Sequence, residues 1–317
     1  MKYISTKNMD LNDWVDMRKD YIGASDSGAI LGYNPWKTNV EVFLEKTGQV
    51  KGPNDNLAMY LGRHMEPIIK NLFQSQEKLL IRADNKIRID SEYDFLRTNL
   101  DGVVVGERVP VEYKTATTWD SDIPDHYFVQ LQHQAMVTGS DYVYLAVLSL
   151  GRNKQFIVEK VKRSDEFIEH MRKELVLFWE EHVIKNNPPV PLTVKDARNL
   201  YNVDDSGAIL EADDDLFSTY LILNGLKDKR NDLDRDINDL QVKIMNSMKE
   251  NTIIERDGFH IITWKKTKDI NRFDRKTFSE EHPKLYRKYI KTTEGRRRFL
   301  LKEMESVFMN TEEQGVS

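Results

Sequence analysis

"FLRTNLDGVVVGERVPVEYKTAT", residues 95–117, decides how the fold is read. Its second half, "VPVEYKT", alternates as a strand, so Glu112 and Lys114, two residues apart, point to one face. Asp101 ends the preceding strand, just ahead of Gly102. Carboxylates gathered on one sheet face repel each other unless a cation neutralises them. A hard divalent cation does so, and Mg²⁺ takes oxygen ligands in a shell that keeps some water. Such an ion lowers the pKa of water, and a nearby lysine steadies charge on a phosphate. The pattern suits hydrolysis of a phosphodiester. It also fits a solvated sheet face carrying an ordinary Glu–Lys pair, and the spacing alone leaves both readings open.

Working outward, "LLIRADNKIRID" reads as a strand before this stretch. "YVYLAVLSLG" and "KQFIVEKVKR" read as a strand pair after it. Helical patterns surround them. "NDWVDMRKDYIG" places Trp14, Val15, Met17 and Tyr21 near helical spacing. "SDSGAILG" reads as a capped helical turn, with Ser25 or Asp26 as cap and Gly32 as stop. "VEVFLEKTG" ends at Gly48. "GRHMEPIIKNLFQSQ" carries Glu66, a further carboxylate ahead of the strands; a lone glutamate on a helix is otherwise simply exposed. "PDHYFVQLQHQAMVTG" stops at Gly139, and "SDEFIEHMRKELVLFWEEHVIKN" starts at a Ser164 cap. This order predicts an α/β or α+β core with a mixed central sheet flanked by helices.

Prolines and an acidic cluster at about 188–214 mark a boundary, giving a first domain over 1–200 and an extension over 201–317. In the extension, Leu216, Leu223, Ile237 and Ile244 recur at one heptad position, interrupted by Arg230. Leu226, Leu233 and Leu240 recur at the other. The pattern predicts a coiled-coil-like helix or a helical hairpin. "TIIERDGFHIITWKKT" predicts a β-hairpin turning at Asp257-Gly258. The basic clusters Lys265, Lys266, Lys268 and Arg296 to Arg298 fit a grip on duplex DNA or a solvated surface.

Bulk properties narrow the classes. The net charge of −5 argues against a protein that coats nucleic acid by charge alone, though not against an enzyme with a local basic cleft. There are no cysteines, which excludes disulfides, thiolate metal sites and an iron–sulfur nuclease. No apolar run approaches the length needed to span a bilayer. The start, "MKYISTKNMD", lacks the apolar middle of a signal peptide, so a cytoplasmic protein is expected.

The blocks "RKDYIGASDSGAILGYNPWKT", "FLEKTG", "LGRHMEP", "NLDG", "VEYKT" and "YFVQLQHQAMVTG" occur in order across about 18–150. In these the chain resembles the YqaJ-type viral recombinase nucleases, relatives of phage lambda exonuclease within the PD-(D/E)XK nuclease superfamily. The resemblance implies an Mg²⁺-dependent exonuclease, with Mn²⁺ as a substitute. It would degrade the 5′ strand of linear duplex DNA and leave 3′ overhangs for recombination. Asp101, Glu112 and the carbonyl of Tyr113 would hold the metal, with Glu66 supporting it. Lys114 would position the attacking water, and Gln130 would help line the active site. Arg18 and Ser25 would bind the terminal 5′-phosphate, with Asn99, Tyr127 and Gln130 on the DNA. The resemblance also implies double-stranded DNA ends as substrate, a single-strand annealing protein as partner, a homo-oligomer such as a ring trimer, and the host cytoplasm for a phage-encoded chain.

Residue by residue, plainer readings exist. Ser25 could serve as a cap alone, and Arg18 could pair with a neighbouring acid. His133 reads as a satisfied internal residue rather than a ligand. Tyr127 could be packing, and Trp36 could anchor a turn or stack on a base. The rival functions are an inert DNA-end binding module on a nuclease fold and an endonuclease of the same superfamily.

Overall fold

The computed structural model describes residues 2–50, 56–119, 122–151, 155–201, 207–293 and 295–302. The chain divides into two compact units, Met1–Tyr201 and Asn202–Ser317.

A seven-stranded mixed sheet organises the first unit. Strands β1 (Tyr3–Ser5), β3 (Ile81–Ile89), β4 (Leu96–Val104), β5 (Pro110–Ala116), β6 (Tyr142–Ser149) and β7 (Gln155–Lys162) lie side by side in that order. All these neighbours are antiparallel except β5 and β6, which run parallel. A parallel pair needs a crossover, and helix α5 (Asp125–Thr138) lies in the connection between β5 and β6. The remaining strand, β2 (Ile22–Gly23), pairs in parallel with the start of β4 at Leu96 and Arg97.

Alternation along β6 shows how the sheet separates two apolar layers. Val143, Leu145 and Val147 enter one cluster. That layer is completed by α2 (Ala24–Ile30), α3 (Asn39–Lys46), α5 and α6 (Asp165–Phe178). Tyr144 and Ala146 enter the other cluster, against Ile69 and Phe73 of α4 (Leu57–Glu77). At about 25 cal/mol per Å² of apolar surface removed from water, these layers supply the main drive to fold.

The helix ends have identifiable causes. Thr38 and Glu41 form a capping box on α3, and Ser164 caps α6 as predicted. Gly139 takes a left-handed φ of 68° and closes α5. Helix α2 differs from the sequence reading. Its cap position is Gly23, and the Asp26 carboxylate accepts that residue's N–H at 3.2 Å. Ser25 therefore lies inside the first turn and does not cap. The predicted last helix of the unit continues beyond Phe178 as a π-helical turn over Trp179–Ile184. A short helix, α7 (Val194–Leu200), follows the prolines.

In the second unit, Asp214–Met248 is one continuous helix, α8, and the alternative of a helical hairpin does not form. The predicted β-hairpin follows as β8 (Ile253–Arg256) and β9 (Phe259–Thr263). Asp257 and Gly258 both have positive φ at its turn, as a two-residue hairpin loop requires.

Candidate active site

The site forms where one edge of β4 changes partners. Strand β2 pairs with that strand at Leu96 and Arg97, whereas β5 pairs with it at Gly102 and Val103. Strand β3 runs along its other edge. Between the two short pairings the edge opens, and a cavity of about 110 Å³ sits there. Trp14, Arg18, Tyr21, Ser25, Asn99, Asp101, Glu112 and Gln130 line it. The strand break thus brings residues from α1 (Leu11–Met17) to α5 around one cavity.

Glu112 accepts three side-chain hydrogen bonds. Its Oε1 accepts from Lys114 Nζ and from Gln130 Nε2, each at 2.6 Å. Its Oε2 accepts from Gln134 Nε2 at 2.6 Å. Gln130 and Gln134 lie one helical turn apart on α5, so both amides reach the same strand. Asp101 accepts the Tyr113 N–H at 2.8 Å. Burial, and next the Glu112 carboxylate, push the pKa of Asp101 well above the usual carboxylate range. Burial would lower the Lys114 pKa, but Glu112 and Asp101 outweigh it and raise it. Lys114 therefore remains an ammonium. Its Nζ also stands 5.2 Å from the ring centre of Tyr127, which stacks on Trp119.

Glu66 on α4 stands apart from this hydrogen-bonded set. Burial and the Glu112 carboxylate raise its pKa, so it shares the same field. One ammonium faces several carboxylates here, and a divalent cation would offset the excess negative charge. Among the described residues, no group of three or more His, Asp or Glu side chains converges to hold an ion. The oxygens that could hold such an ion are the carboxylates of Asp101 and Glu112, with the carbonyl of Tyr113, the residue between Glu112 and Lys114, as a further candidate. That all-oxygen set fits Mg²⁺, which binds through one or two carboxylates and completes its shell with water and phosphate.

Arg18 forms the far wall. Its Nη2 donates to Ser25 Oγ at 3.1 Å and lies 3.5 Å from Asp26 Oδ1. The guanidinium carbon stands 5.1 Å from the Trp14 ring centre. Asp26 is almost wholly buried and also meets Lys46 at 2.7 Å and Lys37 at 3.2 Å. Burial alone would raise its pKa, yet Lys46, Lys37 and Arg18 hold it well below the usual range. A second recess of about 130 Å³ adjoins, lined by Trp14, Arg18, Lys19, Lys37, Glu45 and Lys46 among others. Asn99 accepts from the Tyr21 hydroxyl at 3.4 Å.

Several participants escaped the sequence reading. Gln134 had a signal in its four-residue spacing from Gln130. Asp26 was read only as a cap candidate, and its partners Lys37 and Lys46 had no signal, because charged residues eleven and twenty positions away look like surface. His133 is fully buried between Ser27 Oγ at 2.7 Å and the Arg97 carbonyl at 3.1 Å, an internal residue as expected. Trp36 is 73% exposed, with its ring edge-on to His126.

The fold is α/β, a mixed sheet flanked by helices, with paired carboxylates and a lysine at a break in one strand edge. The family model of the YqaJ-like viral recombinase domain matches residues 13–141. The protein YqaJ of Bacillus subtilis (strain 168) is 32% identical over 316 residues, covering 93% of this chain and 95% of that one. The chain belongs to the YqaJ-like viral recombinase family, and this membership supports a nuclease. Among solved structures, an alkaline exonuclease from Laribacter hongkongensis is similar, with a TM-score of 0.47 and 17% identity, over 55% of this chain and 93% of that one. A phage related exonuclease from Haemophilus somnus 129PT is similar with a TM-score of 0.38 and 12% identity, over 53% and 96%. Among the described residues no helix is long and apolar enough to cross a membrane.

Proposed function

We propose that this nuclease is an exonuclease that enters linear duplex DNA at a 5′-phosphorylated end and degrades that strand 5′→3′. The observation that carries the reading is the single cavity joining Arg18 and Ser25 to Asp101, Glu112 and Gln130. Its two walls suit two neighbouring phosphates. Arg18 offers a planar fork and Ser25 a hydroxyl, near the start of α2, for the terminal phosphate. Asp101, Glu112 and the Tyr113 carbonyl would hold Mg²⁺, or Mn²⁺ in its place, with Glu66 close by. Bound there, the ion supplies Lewis acidity and neutralises phosphate charge.

The chain's own groups do the rest. Lys114 is kept protonated by the carboxylates around it. Its ammonium can orient a water and stabilise charge developing on the scissile phosphate. Gln130 and Gln134 fix the Glu112 carboxylate in one orientation, which preorganises the site. Asn99 offers an amide to the substrate, and Tyr127 flanks Lys114. Removing nucleotides from the 5′ strand leaves a 3′ overhang, the substrate of a single-strand annealing partner. Cytoplasmic action follows from that role, and a ring-shaped homo-oligomer would let an acidic chain keep hold of its track.

The test is digestion of one plasmid in three forms: linear with 5′-phosphates, linear with 5′-hydroxyls, and covalently closed. The expected result is release of mononucleotides from the first, slower release from the second and none from the third. Lys114→Ala should abolish release, and Arg18→Ala should erase the preference for the phosphorylated end. Equal activity of wild type and Lys114→Ala would sink the mechanism, and cutting of the closed circle would point to an endonuclease.

A further inference from the structure

Among the described residues, helix α8 leaves an apolar seam without cover. Leu226, Leu233, Ile237 and Leu240 are 57%, 60%, 52% and 58% exposed. With Leu223 they fall at spacings of three, seven, four and three, Arg230 standing in the gap of seven, and between them the helix is almost wholly polar or charged. A long helix with such a stripe gains most of its stability by burying the stripe against another helix.

The charges flanking the seam say which helix. Lys227, Lys229 and Arg230 fall before the midpoint of the 223–240 segment, and Asp232, Asp234, Asp236 and Asp239 fall after it. Asp232 pairs with Arg235 on its own helix. Lys227, Lys229, Asp234 and Asp236 make no ion pair among the described residues. With Asp228 in the first half and Arg235 in the second also counted, the segment is net basic in its first half and net acidic in its second, and it complements itself when reversed. Reversal about the midpoint sets Leu223 against Leu240 of a second copy, Leu226 against Ile237 and Arg230 against Leu233. It also sets Lys227 beside Asp234 and Lys229 beside Asp236, the flanking positions that select orientation in coiled coils. A parallel pairing would place Arg230 against Arg230 inside the seam.

We infer that α8 is a self-association element, in which two copies of this chain pair antiparallel over residues 223–240. The inference does not depend on the nuclease reading. An antiparallel pair has two-fold symmetry, so it joins two chains whatever else the first unit assembles into.

The chain has no cysteine, so introduced thiols are the only ones. Full-length L226C and I237C chains are purified, mixed, and treated with a short thiol-to-thiol crosslinker. Antiparallel pairing puts position 226 beside position 237 of the second copy. Like positions are then eleven residues apart along the helices, about 16 Å. The mixture should give a covalent dimer, and each variant alone should not. Adding K227D and K229D to the L226C chain should reduce crosslinking to the I237C chain at least tenfold. Adding D234K and D236K to the I237C chain should then restore it, with helical circular dichroism unchanged throughout. Crosslinking of L226C to itself would show a parallel pair, and no crosslink in the mixture would show no pair; either overturns the inference.

Discussion

The carboxylate of Asp101 takes the place of a backbone partner for Tyr113. The β4–β5 ladder ends at Gly102 and Val111. One rung further, the Tyr113 N–H donates 2.8 Å to the Asp101 side chain. The strands part at the point where the two carboxylates must meet, and the amide that would otherwise be orphaned is satisfied by one of them.

This arrangement depends on Gly102. A Cβ there would lie 2.5 Å from Ile81 Cγ2 and 2.8 Å from the Tyr113 hydroxyl oxygen. Ile81 is buried and β-branched, so it has little freedom to move aside. Gly102→Ala should destabilise the first unit by about 1–3 kcal/mol. Urea unfolding measures this, and an unchanged midpoint would mean the strands give way easily.

A divalent ion should stabilise the fold, apart from any activity. Burial and Glu112 raise the Asp101 pKa, so the ionised pair is strained in the protein alone. With Mg²⁺ at a hundred times its dissociation constant, about 2.7 kcal/mol of stability should appear. Chelator should remove it, and Glu112→Gln should lack it. The readout is the thermal midpoint with and without Mg²⁺, and an equal rise in Glu112→Gln would place the ion elsewhere.

Much of this was legible in the sequence for particular physical reasons. The alternation in "VPVEYKT" and "YVYLAVLSLG" reports a two-sided sheet, and Gly139 and Asp257-Gly258 mark stops that need positive φ. Strand β2 was not legible, because two residues carry no period; only its pairing with Leu96 and Arg97 makes it a strand. The same pairing draws Arg18 and Ser25 toward Asp101, so the meeting of the two walls is a tertiary fact. The Ser25 cap was misread because Asp26, three residues after Gly23, reaches back to that N–H. The buried Asp26–Lys46 pair joins two helices through residues twenty positions apart, and neither residue's neighbours in sequence reveal it.

Gln134 should matter nearly as much as Gln130. Its amide reaches the Glu112 oxygen that Lys114 and Gln130 leave free. A hydrogen bond to a charged group contributes about 1.5–3 kcal/mol. Gln134→Leu should therefore lower kcat roughly ten- to a hundredfold by letting the carboxylate turn, with KM for DNA ends little changed. Glutamate at this position, Gln134→Glu, would add a charge against Glu112 and should be worse than leucine. A drop in KM-dependent terms alone would assign Gln134 to DNA binding instead.

His133 should set part of the acid sensitivity of the first unit. Burial pushes its pKa down to about 4, against opposing pulls from the Arg97 carbonyl, Asp90 and Asp26, while Arg172 adds to the depression. The ring is neutral, with one nitrogen donating to the Arg97 carbonyl and the other accepting from Ser27. In the unfolded chain it protonates near 6.5. Between those values the unfolded state binds a proton that the folded state refuses. Stability is complete above about pH 6.5 and is lost as pH falls toward 4, by as much as about 3 kcal/mol. Asp26, whose pKa is depressed, adds its own loss at lower pH. His133→Gln isolates the histidine, because it keeps a polar group that cannot charge. Urea unfolding at pH 5 and pH 7 should show a smaller difference in the variant than in the wild type, and an equal difference would assign the acid sensitivity to the carboxylates alone.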